Sequence, residues 1–122
     1  MSIESHVVSL EMAKKLKEAG WKKETEFWWS REKEQDKYKL TYSYSKFQSA
    51  DPLPHFAAPL ATEILDELPI SIKGEFIQDL TIRKDDQGYF NINYGCRILV
   101  SGVGLPDTFA KMWIWMRKEK LL

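Results

Sequence analysis

The side chains able to bind a metal through nitrogen or sulfur are His6, His55 and Cys96, which lie far apart in a chain of 122 residues. No HExxH, CxxC or calcium-loop spacing occurs, so the expectation is no metal centre and no cofactor. Nucleophilic catalysis has no better footing. There is no GxSxG segment, and His55 stands between Pro54 and Phe56, where it would have to meet a carboxylate and a nucleophile by folding alone. Cys96 opens the apolar run CRILV and reads as a small buried hydrophobe rather than a reactive thiol. Two carboxylate pairs are present, Asp66 with Glu67 and Asp85 with Asp86. The first suits the wet side of a helix, and the second suits a hairpin turn, where Asp bonds nearby backbone amides. The segment ILVSGVGLPD places Gly102 and Gly104 before a helix, in the manner of a phosphate-binding loop. It lacks the third glycine and the Walker lysine, and only one helix follows, so the glycines read as turn flexibility.

Aromatic and basic residues mix in one region, Trp28, Trp29, Tyr38, Tyr42 and Tyr44 beside Arg31, Lys33, Lys37 and Lys39. Such a mixture can stack single-stranded nucleic acid. The acids Glu26, Glu32, Glu34 and Asp36 nearly cancel its charge, and cross-strand aromatic pairs equally stabilise an ordinary hairpin. The whole chain is just as balanced, with 18 Lys plus Arg against 18 Asp plus Glu and a net charge of zero. Residues 1–61 hold 10 basic and 9 acidic groups, and residues 62–122 hold 8 and 9. No basic half exists to track a phosphate backbone, which favours a neutral partner over nucleic acid. Low net charge also weakens repulsion between copies of the chain and so permits self-association.

The elements that would position these groups follow from periodicity. VVSLEMAKKLKEAGW predicts an amphipathic helix with Ser9 as N-cap, Gly20 as stop, and Met12, Ala13, Leu16 and Ala19 on one face. The period then changes to two. Thr25, Phe27 and Trp29, then Tyr38, Leu40, Tyr42 and Tyr44, predict a hairpin with aromatics on its inner face. Residues 45–58 read as a loop. PLATEILDELP predicts a second helix between Pro59 and Pro69, with Leu60, Ala61, Ile64, Leu65 and Leu68 on its packing face. ISIK, IQDLTIRK, YFNINYG and CRILV read as further strands, with DDQG as a turn. The last helix starts at Leu105, Pro106 and Asp107, with Asp107 as N-cap and Phe109, Met112, Trp113 and Met116 on the inward stripe.

Two tryptophans break the pattern. Trp115 projects away from that stripe, among Lys111, Lys118 and Leu122, and Trp28 falls on the face of its strand that should be polar. Tryptophan is enriched at interface hot spots, which makes Trp28 and Trp115, with Lys111 and Lys118, the candidate interaction residues. The competing expectation is that the rest of the monomer covers them.

SLEMAKKLKEAGW, EFWW, APLATEILDELP and DTFAKMWIWMRKEKLL together resemble a group of small, uncharacterised proteins encoded by bacteriophages and prophages, mostly of Gram-positive bacteria. The resemblance implies an accessory protein of a phage or prophage, and it carries no catalytic residues to transfer. The sequence thus leads to one α+β domain over residues 1–122, an antiparallel sheet of hairpins with about three amphipathic helices in the order α-ββ-α-βββ-α. Its amino terminus lacks a signal-peptide pattern and no long apolar run occurs, so the expected location is the cytoplasm, away from membranes. The expected function is non-enzymatic binding of a phage or host protein, or of itself. A single-stranded nucleic-acid module using the aromatic hairpin is the alternative, and an enzyme with a site around His55 is the third reading.

Overall fold

Ser9 opens the first helix as its side-chain chemistry predicts. In the computed structural model, residues 3–23, 25–31, 38–42, 55–72, 77–95 and 98–122 are described. A 3-10 turn, Ile3–His6, leads into α1, Leu10–Glu18, where the Ser9 hydroxyl accepts a hydrogen bond from the Met12 amide at 3.3 Å. Met12, Ala13 and Leu16 are buried, the face that the spacing predicts. The helix stops at Gly20, whose φ of +102° is open to glycine at little cost. There the Trp21 amide donates to the Leu16 carbonyl and the Gly20 amide to Lys17, satisfying carbonyls that the helix leaves unpaired.

Strands β1, Phe27–Arg31, and β2, Tyr38–Tyr42, pair antiparallel as the predicted hairpin. A third strand joins them. β3, His55–Ala57, pairs antiparallel with β1 on its other side, with Trp29 opposite Phe56. The reading of residues 45–58 as a loop is therefore corrected at its end, while residues 45–54 lie outside the described residues. Three residues are too short for a period to register, and only the free edge of β1 makes them a strand.

Helix α2 spans Ala61–Leu65, shorter than the segment between the two prolines. Beyond it the amides of Glu67 and Leu68 donate to Ile64 and Leu65, the tighter three-residue spacing that often ends a helix. That tightening still delivers Leu68 to the core beside Ile64. The Glu63 carboxylate accepts from the Leu60 amide at 2.7 Å, holding the first turn.

The second sheet has the order β4-β5-β6-β7, all antiparallel: β4 Ser71–Ile72, β5 Gln78–Lys84, β6 Phe90–Tyr94 and β7 Ile98–Gly102. Its inner face aligns Ile82 with Ile92 and Val100, and Leu80 with Tyr94. The turn between β5 and β6 is built on Asp85, whose Oδ1 accepts from the amides of Gln87 and Tyr89 at 2.9 and 3.0 Å. The Tyr89 amide above all holds the Asp85 carboxyl below its usual pKa.

Helix α3, Leu105–Lys118, crosses the inner face and touches α1, α2, β6 and β7. Phe109, Met112, Trp113 and Met116 are buried, as the stripe predicts. Pro106, Thr108 and Ala110 are buried too, because neighbours on several sides widen the covered arc beyond one stripe. Asp107 is not the N-cap. Gly104 holds that position, and Asp107 lies inside the first turn, where its Oδ1 accepts from the Ser9 amide at 2.7 Å. The carboxylate thus faces the positive end of its own helix and ties down the start of α1. Trp21 and Trp113 meet edge to face at 5.1 Å near the other end of the pair, so α1 and α3 run side by side in the same direction.

Tyr94 joins the layers. Its side chain is fully buried and its hydroxyl donates to the Pro69 carbonyl at 2.7 Å. Burial pushes the phenol pKa up from 10.0 to about 12. A raised pKa in the folded state means that the contribution is intact below pH 10 and is lost as pH climbs from about 10 to about 12. Thermal unfolding followed across that range should therefore show an alkaline loss in the wild type that Tyr94→Phe lacks. An equal loss in both proteins would refute the assignment.

Candidate protein-interaction face

The four residues singled out in the sequence lie on different surfaces. Trp28 is half-buried, and its indole Nε1 donates to the Thr25 carbonyl at 3.1 Å. Ser30, two residues on and on the same face of the sheet, is buried, so that face is not the wet one its alternation suggests. Trp115 is half-buried and packs against the main core cluster. Lys111 is exposed and its Nζ donates to the Ser101 carbonyl of β7 at 3.2 Å. Lys118 is exposed on a groove between α1 and α3, lined also by Lys15, Glu18, Ala19, Ile114 and Arg117. The cations there stand at the carboxyl-terminal ends of two parallel helices, where they offset both dipoles.

The aromatic hairpin is split between two faces. Trp29 turns toward α1, its Nε1 donating to the Val8 carbonyl at 3.0 Å. On that side Tyr38 packs on Phe56 at 5.7 Å, and Lys14 and Lys17 of α1 lie over these rings. Trp28 points the other way, so Trp28, Trp29 and Tyr38 form no single stacking platform. Tyr44, Lys33 and Lys37 lie outside the described residues, as does Cys96.

His6 is exposed at the end of the 3-10 turn, and the backbone of His55 opens β3 opposite Ser30. Among the described residues no group of three or more His, Cys, Asp or Glu could hold a metal ion. Nor, among them, is any helix long and apolar enough to cross a membrane. Asp66 is exposed, and Glu67 pairs with Lys23 at 2.8 Å.

The outer face of the four-stranded sheet carries a more coherent set of groups. The register places Thr81, Asn93 and Leu99 in one row and Arg83, Asn91 and Ser101 in the next. Ser101 donates to Asn91 Oδ1 at 2.6 Å, and Asn91 Nδ2 donates to Asp85 Oδ2 at 3.4 Å, fixing the second row to the hairpin turn. Asn93 Nδ2 donates to the Gly95 carbonyl at 2.8 Å. Arg83, Asn91, Asn93, Gly95 and Leu99 line an open hollow of about 350 Å³. Beside these polar groups Leu99 is 66% exposed, and Val103, just past the end of β7, is 71% exposed. Fixed donors and acceptors next to uncovered apolar side chains suit recognition by surface contact.

This face escaped the sequence reading because ILV at the start of β7 is an apolar run without alternation. The alternation was in the neighbours, Asn91 and Asn93 between Phe90, Ile92 and Tyr94, and pairing β7 to β6 makes Leu99 share the asparagine face. The glycines have a different role from the one expected. Neither Gly102 nor Gly104 has a positive φ, so turn flexibility does not explain them. At Gly102 β7 instead lies close against α3, and a Cβ there would stand 2.5 Å from Thr108 Oγ1. Compared with known proteins, the chain matches no family model, no curated protein and no solved structure.

Proposed function

We propose that the protein catalyses no reaction and acts by binding another protein, itself included, through the outer face of the four-stranded sheet. The observation that carries this reading is the exposure of Leu99 beside the ordered row of Arg83, Asn91 and Ser101, with Val103 exposed just beyond the end of β7. A solvated sheet face needs no apolar side chains, and one so exposed beside fixed polar groups favours a contact surface. The likeness of its helices and of EFWW to phage and prophage proteins supports a cytoplasmic accessory role in such an element. The half-buried Trp28 and Trp115 then serve chiefly the monomer, while Lys111 borders the proposed face through Ser101.

A photo-crosslinking residue placed at Arg83 tests this in cells that express the protein. Protein adducts should form from Arg83 and be absent from Glu11, which is exposed on α1. Equal labelling from both positions, or none from Arg83, would reject the face.

A further inference from the structure

We infer that a second copy of the chain binds at the β7 border of this face, joined along β7 about a twofold axis through Val100; the inference rests on the binding role proposed above. Among the described residues β7 pairs with β6 alone, which makes it an edge of the four-stranded sheet. Two observations fix which of its backbone groups point outward. The Ser101 carbonyl is within reach of Lys111 Nζ, so it does not face β6. Ser101 Oγ also reaches Asn91 Oδ1 at 2.6 Å, as expected of the closer, non-hydrogen-bonded type of antiparallel pair. The amide and carbonyl of one strand residue point the same way, and two residues back the pattern repeats. Ser101 and Leu99 therefore both offer an amide and a carbonyl at the edge.

An antiparallel copy with Val100 on the axis sets Leu99 against Ser101 of the second chain, and the reverse. Each of these pairs can exchange two backbone hydrogen bonds, uniting two four-stranded sheets into one of eight strands. The same register makes the two copies of Leu99 diagonal neighbours on the shared outer face. One operation thus pairs the edge and brings the exposed Leu99 side chains of the two copies together. No charge within β7 itself opposes it. The strand ILVSG has no ionisable side chain and no proline, the usual devices that keep an edge apart, and the chain is neutral. Lys111 is no obstacle, because a carbonyl oxygen has two lone pairs and can accept from both Nζ and an amide.

Sedimentation velocity of the purified full chain over a micromolar concentration series tests the pairing. The wild type should be dimeric, and Leu99→Lys and Ser101→Pro should each weaken association by about tenfold or more with circular dichroism unchanged. Proline suits the test because the Ser101 amide is the one that would cross the axis. Should Ser101→Pro fail to fold, Leu99→Lys decides, since it alters only an exposed side chain. A wild type that is monomeric throughout, or a dimer that both variants leave intact, overturns the inference. A monomer that nevertheless crosslinks to a different protein from Arg83 overturns the twofold pairing alone, whereas a monomer that crosslinks to nothing overturns the binding face with it.

Discussion

Trp113→Ala is expected to lower the free energy of unfolding by about 3–5 kcal/mol, the range for emptying a large aromatic from a packed core. Trp113 is buried on α3, edge to face with Trp21 at 5.1 Å and beneath the guanidinium of Arg117 at 5.8 Å. Its loss would open a cavity between α3 and the end of α1, where the chain leaves α1 through the Gly20 turn and cannot collapse freely to fill it. Trp115→Ala should cost much less, about 1–2 kcal/mol, because only part of its area is removed from water. Urea unfolding of the two variants, compared at equal denaturant slope, gives the contrast directly. Equal losses would show that Trp115 is as much a core residue as Trp113. A Trp115→Ala protein of wild-type stability that no longer associates would return Trp115 to the interface.

The second large effect is expected at Gly102. Gly102→Ala should destabilise by about 1–3 kcal/mol, the usual cost of overpacking. The new methyl would meet Thr108 Oγ1 at 2.5 Å, closer than any real contact of this kind. Thr108 cannot step aside. It is fully buried, its side chain is branched at Cβ, and its hydroxyl donates to the Gly104 carbonyl at 2.7 Å. Removing that hydroxyl should relieve the clash, so Gly102→Ala with Thr108→Ala is expected to be more stable than the two single losses summed would allow. Additive losses would mean that β7 and α3 move apart instead.

The local elements of this chain were legible because short-range rules govern them. Ser9 and Gly20 bound α1, Asp85 builds its turn, and the stripe from Phe109 to Met116 faces the core, each decided by neighbours within a few residues in sequence. The order of helix, hairpin, helix, strands and helix followed, and with it the α+β class. Only the tertiary structure decided what the remaining faces meet. β3 exists because β1 offers it an edge, and Ser30 is buried because both sides of that small sheet are partly covered. Asp107, an N-cap by its residue type, instead reaches Ser9 across 98 positions of sequence. Leu99 stands in the apolar run ILV, yet the pairing of β7 with β6 turns it outward beside Asn93. The physical reason is common to these cases: periodicity assigns a residue to one side of its own element, but burial depends on what packs there, and that contact comes from parts of the chain that local rules do not see.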